Sequence, residues 1–246
     1  MYGLMIYDID GNAQDNVPFG NRADIIEDRT LRRIQPIHFG VDYNSSPLEF
    51  RLVFGSERYL DRYDLESISL WLTGHQQYQW LTIDQPDLAR VQFRCLFTEV
   101  TPISIGWLPI AFEATVRCDC PYAYGPPFHL RRQIQGETEI LFQNNSSVRE
   151  YIKPDLFFQP DSGTTDLRIV NESDSGREFL LSSIPEGAKV SVDNRNGIIT
   201  ESVYGYNLYP GFNMNFFRLV RGANRLAVTG NGALCISGRL LYNVAG

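Results

Sequence analysis

The chain has 246 residues, a formal net charge of −7, 43% hydrophobic and 13% aromatic residues, enough for two cores and too apolar for a disordered tail. All of the charge excess falls in residues 1–124, with 10 Arg against 17 Asp plus Glu, while residues 125–246 balance 12 Lys plus Arg with 12 Asp plus Glu. No basic patch stands out, which excludes specific nucleic-acid binding. No apolar run nears the roughly 20 residues of a spanning helix, and MYGLMIYDID turns acidic before a signal-peptide core forms, so no membrane insertion and synthesis in a cytosol are expected.

Met1 to Ile9 alternates weakly as a first strand, residues 11–20 are rich in turn formers, and Arg22 to Gln35 is a charged stretch suited to an extended arm or edge strand. Leu48, Phe50, Leu52 and Phe54 alternate with Glu49, Arg51 and Val53, the pattern of a half-buried strand ending at Gly55. A helical period then interrupts the strands. Asp61 suits an N-cap, with Asp64 and Glu66 where exposed N–H groups favour carboxylates. Leu65, Ile68 and Leu72 recur on one face with Trp71 beside them, and Gly74 sits where a left-handed residue ends a helix. Gln79 to Asp84 reads as a short strand, so one helix lies between strands and covers one sheet face.

Val91, Phe93, Cys95 and Phe97 share one face of the next strand. Ile110, Phe112, Ala114, Val116, Cys118 and Cys120 share a face of the one after, with Glu113, Thr115, Arg117 and Asp119 outward. That parity makes Cys118 and Cys120 small core residues rather than a metal pair, and the four cysteines, scattered as they are, suit reduced thiols. Pro121 to Gly136, with three Pro and two Gly, reads as a hinge. The division expected is a first domain over 1–124, a linker over 125–138 and a second domain over 139–246. In the latter, apolar pieces recur between turn signals: Glu139 to Phe142, Asp155 to Gln159, Asp166 to Val170, Arg177 to Leu181, Lys189 to Val192, Ile198 to Glu201, Met214 to Leu219, Arg225 to Thr229 and Leu234 to Tyr242. Asn196-Gly197 supplies a hairpin turn.

The search for chemistry returns little. His38, His75 and His129 occupy three separate contexts, and no phosphate loop, dinucleotide fingerprint or H-E-x-x-H is present. Acid pairs such as Asp84 with Asp87 or Asp161 with Asp166 are expected by chance among 29 carboxylates. No catalytic residue, metal site or cofactor is expected. The aromatic loop from Tyr204 to Phe217 has two readings: packing at a sandwich edge, or an exposed platform of Tyr204, Tyr206, Tyr209 and Phe212 for a partner or a glycan.

The order of these motifs resembles a known family. Leu48-Glu49-Phe50-Arg51-Leu52, Leu70-Trp71-Leu72-Thr73-Gly74, Trp80-Leu81-Thr82-Ile83-Asp84 and Phe93-Arg94-Cys95 follow one another as in the N-terminal domain of the distal tail proteins of long-tailed bacteriophages. Lys153-Pro154-Asp155, Leu167-Arg168-Ile169-Val170-Asn171 and Leu219-Val220-Arg221-Gly222-Ala223-Asn224-Arg225-Leu226 are similar to its second half, so the likeness spans nearly the whole chain. The resemblance implies a mainly β protein with two β-sandwich domains, the first tail-tube-like with one packed α-helix, the second galectin-like or jelly-roll. It implies a structural hub of the virion tail tip rather than an enzyme: a homo-hexameric ring with a DNA channel, meeting the tail tube protein, the tape-measure protein and a tail-associated lysin, fibre or receptor-binding protein.

On that reading the arm reaching a neighbour in the ring is sought in Arg22, Asp24, Glu27, Asp28, Arg29, Arg32 and Arg33, and channel-lining carboxylates in Glu113 and Asp119, whose charge would repel passing DNA. The competing class is a carbohydrate-binding β-sandwich used in adsorption to the host surface.

Overall fold

A computed structural model describes residues 5–6, 23–28, 37–43, 46–203 and 205–244. The chain divides into two compact units, residues 1–124 with 243–246 and residues 125–242. Both are mainly β.

Among the described residues the first unit holds strands β1 (Met5–Ile6), β2 (Ala23–Asp28), β3 (Ile37–Tyr43), β4 (Glu49–Gly55), β5 (Gln79–Leu81), β6 (Phe93–Ile105) and β7 (Leu108–Cys118), with one α-helix, α1 (Arg62–Thr73). A five-stranded sheet runs β1-β4-β7-β6-β5, and β2 pairs with β3 in a separate two-stranded ribbon. The alternation read from Leu48 onward sets which sheet face is apolar. Phe50, Leu52 and Phe54 lie opposite Val116, Ala114 and Phe112 in the β4–β7 register. Because side chains alternate across a strand, these six share one face. The helix covers it: Leu60, Ile68, Leu72, Phe112 and Ala114 form a buried cluster, with Phe54, Leu65, Phe97 and Val100 against it.

The helix begins as the sequence predicts. Asp61 accepts from the Asp64 backbone N–H at 2.8 Å, and Asp64 returns the bond to the Asp61 N–H at 3.1 Å, a reciprocal capping box. Its end differs from expectation. Gly74 is right-handed, with φ −72° and ψ −1°, and glycine is required there because a Cβ would lie 2.3 Å from the Leu70 carbonyl oxygen. Trp71 also departs from the predicted stripe, for Ile68 and Leu72 turn inward while Leu70 and Trp71 face solvent.

The second unit is a curled seven-stranded sheet. Beyond β8 (Ala123–Asn144) come β9 (Asp155–Pro160), β10 (Leu167–Asn171), β11 (Arg177–Leu181), β12 (Val190–Asp193), β13 (Ile198–Glu201) and β14 (Gly222–Tyr242). The order is β11-β10-β14-β9-β12-β13, with β8 also paired to β14. Two expectations are corrected here. The stretch read as a linker over 125–138 is continuous strand, its prolines falling early in β8. The two strands expected over 225–242 are one, which pairs β10 through Leu226–Thr229 and β9 through Gly232–Ser237.

A third correction concerns Met214 to Leu219, expected as a strand. It is irregular, with Met214 at φ 61°; Leu219 keeps a backbone bridge to Ile152, and side-chain amides serve Phe217 and Arg218. Asn194, buried, donates to the Pro154 carbonyl at 2.6 Å and accepts from the Phe217 N–H at 2.7 Å. Asn171 donates to the Arg218 carbonyl and to Asn224, whose own Oδ1 accepts from the Val220 N–H. Buried backbone groups demand partners, and asparagine supplies a donor and an acceptor in one short side chain. Arg218 is fixed by Asp174 at 2.6 Å and lies 3.6 Å from the Tyr151 ring centroid.

Candidate assembly surfaces and a sheet hollow

Strands β6 and β7 form a long hairpin closed by two residues, since Ile105 pairs with Leu108. Of the two-residue turns that follow the right-handed twist of the strands, type I′ needs positive φ at both positions. Gly106 at φ 57° meets this freely; Trp107 at φ 72° does so against the steric preference of a bulky residue. The ring projects almost wholly into solvent at 95% exposure, flanked by exposed Ile105 and Leu108. Sequence reasoning passed over this tip. The signal was there, in three large apolar residues set around one glycine where a turn is normally polar.

The outer side of α1 extends the pattern. Tyr63, Leu70 and Trp71 are exposed, and a hollow of about 170 Å³ at the helix end is lined by Trp71, Leu72, His75, Gln79, Leu96 and Phe97. Scattered apolar residues on a surface are ordinary, but large aromatic ones gathered on one unit are the usual material of protein interfaces.

The residues proposed from sequence fare differently. Of the ring set, Asp24, Glu27 and Asp28 lie in β2, and Arg22, Arg29, Arg32 and Arg33 fall outside the described residues. The channel pair requires correction. Asp119 was expected to face outward, yet its side chain is only 9% exposed, 3.6 Å from Arg94 and accepting from the Tyr124 hydroxyl at 2.9 Å. Glu113, at 18% exposure, pairs with Arg51 at 3.2 Å. Both carboxylates answer a guanidinium on their own unit, which cancels most of the repulsive field assigned to them.

The aromatic loop is likewise engaged at home. Phe212 is buried and packs on Phe179 and Phe216, with centroids 5.3 and 4.9 Å away. The Tyr206 hydroxyl donates to the Ser183 carbonyl, and Tyr209 donates to Gly197 while accepting from the Ile199 N–H. Those contacts pin the loop to the unit's body; Phe212 is a core residue and not part of a platform, Tyr206 and Tyr209 remain exposed, and Tyr204 lies outside the described residues.

Cys95 and Cys118 sit directly opposite each other, buried in the first core. Burial, helped by Asp119, pushes the Cys95 thiol up to about 11, and burial raises Cys118 further. They behave as small apolar residues. Among the described residues no group of three or more His, Cys, Asp or Glu is placed to hold a metal ion, and no helix is long and apolar enough to cross a membrane.

In the second unit an open hollow of about 540 Å³ lies over β8, β9 and β14, lined by Arg131, Arg132, Gln133, Phe157, Ala233 and Cys235. Strand parity explains its floor. Leu156, Phe158 and Pro160 point inward, so Asp155, Phe157 and Gln159 point out. Phe157 therefore stands 41% exposed between Cys235 of β14 and Ser191 of β12, its register partners.

A two-unit, mainly β protein whose first unit exposes large apolar residues carries the usual material of protein interfaces. The chain belongs to a family of phage tail proteins: residues 1–120 match the model of a phage tail protein N-terminal domain, and residues 122–237 that of a phage tail C-terminal domain. It is thereby a component of the virion tail.

Among solved structures it is similar to Dit (gp 19.1) of phage SPP1, described as a paradigm of the hub adsorption apparatus in phages that infect Gram-positive hosts. That match has a TM-score of 0.68 and 12% identity over 98% of this chain and 94% of that one. A second likeness is to a chain of the phage P2 baseplate in its activated conformation with Ca, at TM-score 0.52 and 12% identity over 95% and 90%. Identity this low speaks for the fold, which is Dit-like. No curated protein sequence matches the chain.

Proposed function

We propose that this protein is the distal hub of a long-tailed phage, a closed ring of six copies that joins the tail tube to the tip proteins and leaves a channel for DNA. It works through repeated contact and carries out no reaction. Its neighbours on this reading are the tail tube protein, the tape-measure protein and a tail-associated lysin, fibre or receptor-binding protein.

The observation that carries the reading is the apolar surface of the first unit. Trp107 stands almost fully in water at a backbone angle that costs energy, while Ile105, Leu108, Tyr63, Leu70 and Trp71 add further exposed apolar area. A soluble monomer gains nothing from such an arrangement; a ring or a stack that buries those groups does. Negative-stain microscopy and light scattering of the purified protein, alone and with the tail tube protein, test it. Six-fold rings are expected in at least one condition. A protein that stays monomeric even with its tail neighbours present overturns the proposal.

A further inference from the structure

The hollow over β8, β9 and β14 takes no part in the contacts described for the first unit, and its lining is specific. Its volume of about 540 Å³ lies within the roughly 300–1,000 Å³ typical of small-molecule sites. One wall is cationic. Among the described residues neither Arg131 nor Arg132 has a carboxylate partner; Arg132 Nη1 donates only to the Arg131 carbonyl, at 2.9 Å. Elsewhere in the same unit Arg168, Arg218 and Arg225 are each paired with an acid. Arg131 and Arg132 alternate along β8 yet both line the hollow, and a guanidinium without an acid partner among the described residues suits an anionic group, since its forked donors match carboxylate and phosphate.

The floor is different in kind. Phe157 is exposed beside small residues, Ser191 and Cys235 as register partners and Ala233 along the same hollow, so part of its side chain is open to a ligand. Gln133 stands at the rim, its amide held by Asp161 at 3.0 Å. An aromatic face beside fixed polar groups suits a molecule with one apolar and one hydroxylated side, such as a pyranose ring.

We infer that the hollow lined by Phe157, Arg131, Arg132 and Gln133 binds an acidic saccharide, a sugar ring stacked on Phe157 with its carboxylate or phosphate on the arginines. The second unit then has a recognition role of its own, independent of the hub reading.

The test uses the full chain and calorimetric titration with trigalacturonic acid, with glucose 1-phosphate and with neutral maltotriose, the two acidic probes separating uronate from phosphate. At least one acidic sugar is expected to bind about tenfold more tightly than maltotriose. The same sugar should slow alkylation of Cys235 by N-ethylmaleimide. R131Q is expected to weaken binding about tenfold with an unchanged melting temperature, and F157A to abolish protection of Cys235. Should F157A misfold, R131Q decides alone.

Failure of both acidic sugars to bind, equal binding of maltotriose, or binding indifferent to R131Q overturns the inference. Protection of Cys235 by a neighbouring tail protein without any sugar binding overturns it too, in favour of a protein occupant. Ring formation by the same variants is scored separately: intact rings without sugar binding count against the hollow, and sugar binding without rings counts against the hub.

Discussion

Replacing Trp107 with glycine should strengthen the isolated fold and weaken the assembly. At φ 72° the indole residue occupies the left-handed region, which costs about 1–2 kcal/mol for a residue with a Cβ and nothing for glycine. Because the side chain is 95% exposed, its removal opens no cavity, so the change in the monomer is a net gain of about 1 kcal/mol. In an assembled ring the account reverses. A tryptophan buries roughly 150–250 Å², which at about 25 cal/mol per Å² sets an upper limit of about 4–6 kcal/mol per contact.

Burying half of that area, about 2–3 kcal/mol, makes W107G weaken association by about thirtyfold to two-hundredfold. Urea denaturation at low protein concentration reads the first effect, and sedimentation at rising concentration reads the second. W107N serves as a control, since asparagine tolerates the left-handed region but lacks the ring. A destabilised W107G monomer refutes the strain argument; a stabilised monomer that assembles as well as the parent refutes the role of the tip.

Other consequences are open to measurement. N194A strands the Pro154 carbonyl and the Phe217 N–H in a buried site, at about 1–3 kcal/mol for each unpaired group, so the second unit should lose about 2–6 kcal/mol in urea; a loss below about 1 kcal/mol would falsify the claim that the Asn194 amide holds Phe217 in place. D61A removes the helix cap and should cost about 1 kcal/mol, seen as reduced helical signal and an earlier unfolding midpoint. The Arg58 guanidinium, and after it the Asp61 N–H, hold the Asp64 carboxyl below the usual carboxylate range. Its contribution is therefore present above the unfolded carboxylate pKa and lost as pH falls through the lower folded value. R58Q should move the Asp64 titration upward by NMR, and an unmoved titration rejects the pairing. At about pH 8.5, maleimide should reach Cys235 quickly and Cys95 only on unfolding, because burial keeps that thiol protonated; equal rates contradict the packing.

Much of the fold was legible because local pattern and tertiary demand agree. Alternation from Leu48 to Phe54 marks a strand with one wet face, and β4 has one; Asp61 and Asp64 mark a helix start, and both close the capping box. The errors arise where local chemistry carries two meanings. Prolines in β8 resemble a linker because they remove donors, yet a strand tolerates that where the N–H would have no partner. Met214 to Leu219 has strand-forming composition, but Phe217 and Arg218 are held by Asn194 and Asn171 and Leu219 by the Ile152 backbone, a non-local arrangement that no window reveals.

The candidate sites were less legible. Parity placed Glu113 and Asp119 outward, and it said nothing of Arg51 and Arg94 waiting on adjacent strands. Phe157 was read as part of a strand, and its exposure followed only once both register neighbours were known.

The length of β14 carries one more consequence. A single strand is hydrogen-bonded to β8, β9 and β10, so it serves as the spine of the second unit. Neither β8, β9 nor β10 can peel away without disturbing it, whereas β11 and β13 at the two ends of the order are bonded only to β10 and β12, so openings at the centre are coupled to rupture of the whole. Amide exchange across β9, β10 and β14 should accordingly share one opening energy, the behaviour of a sheet whose centre yields in a single step.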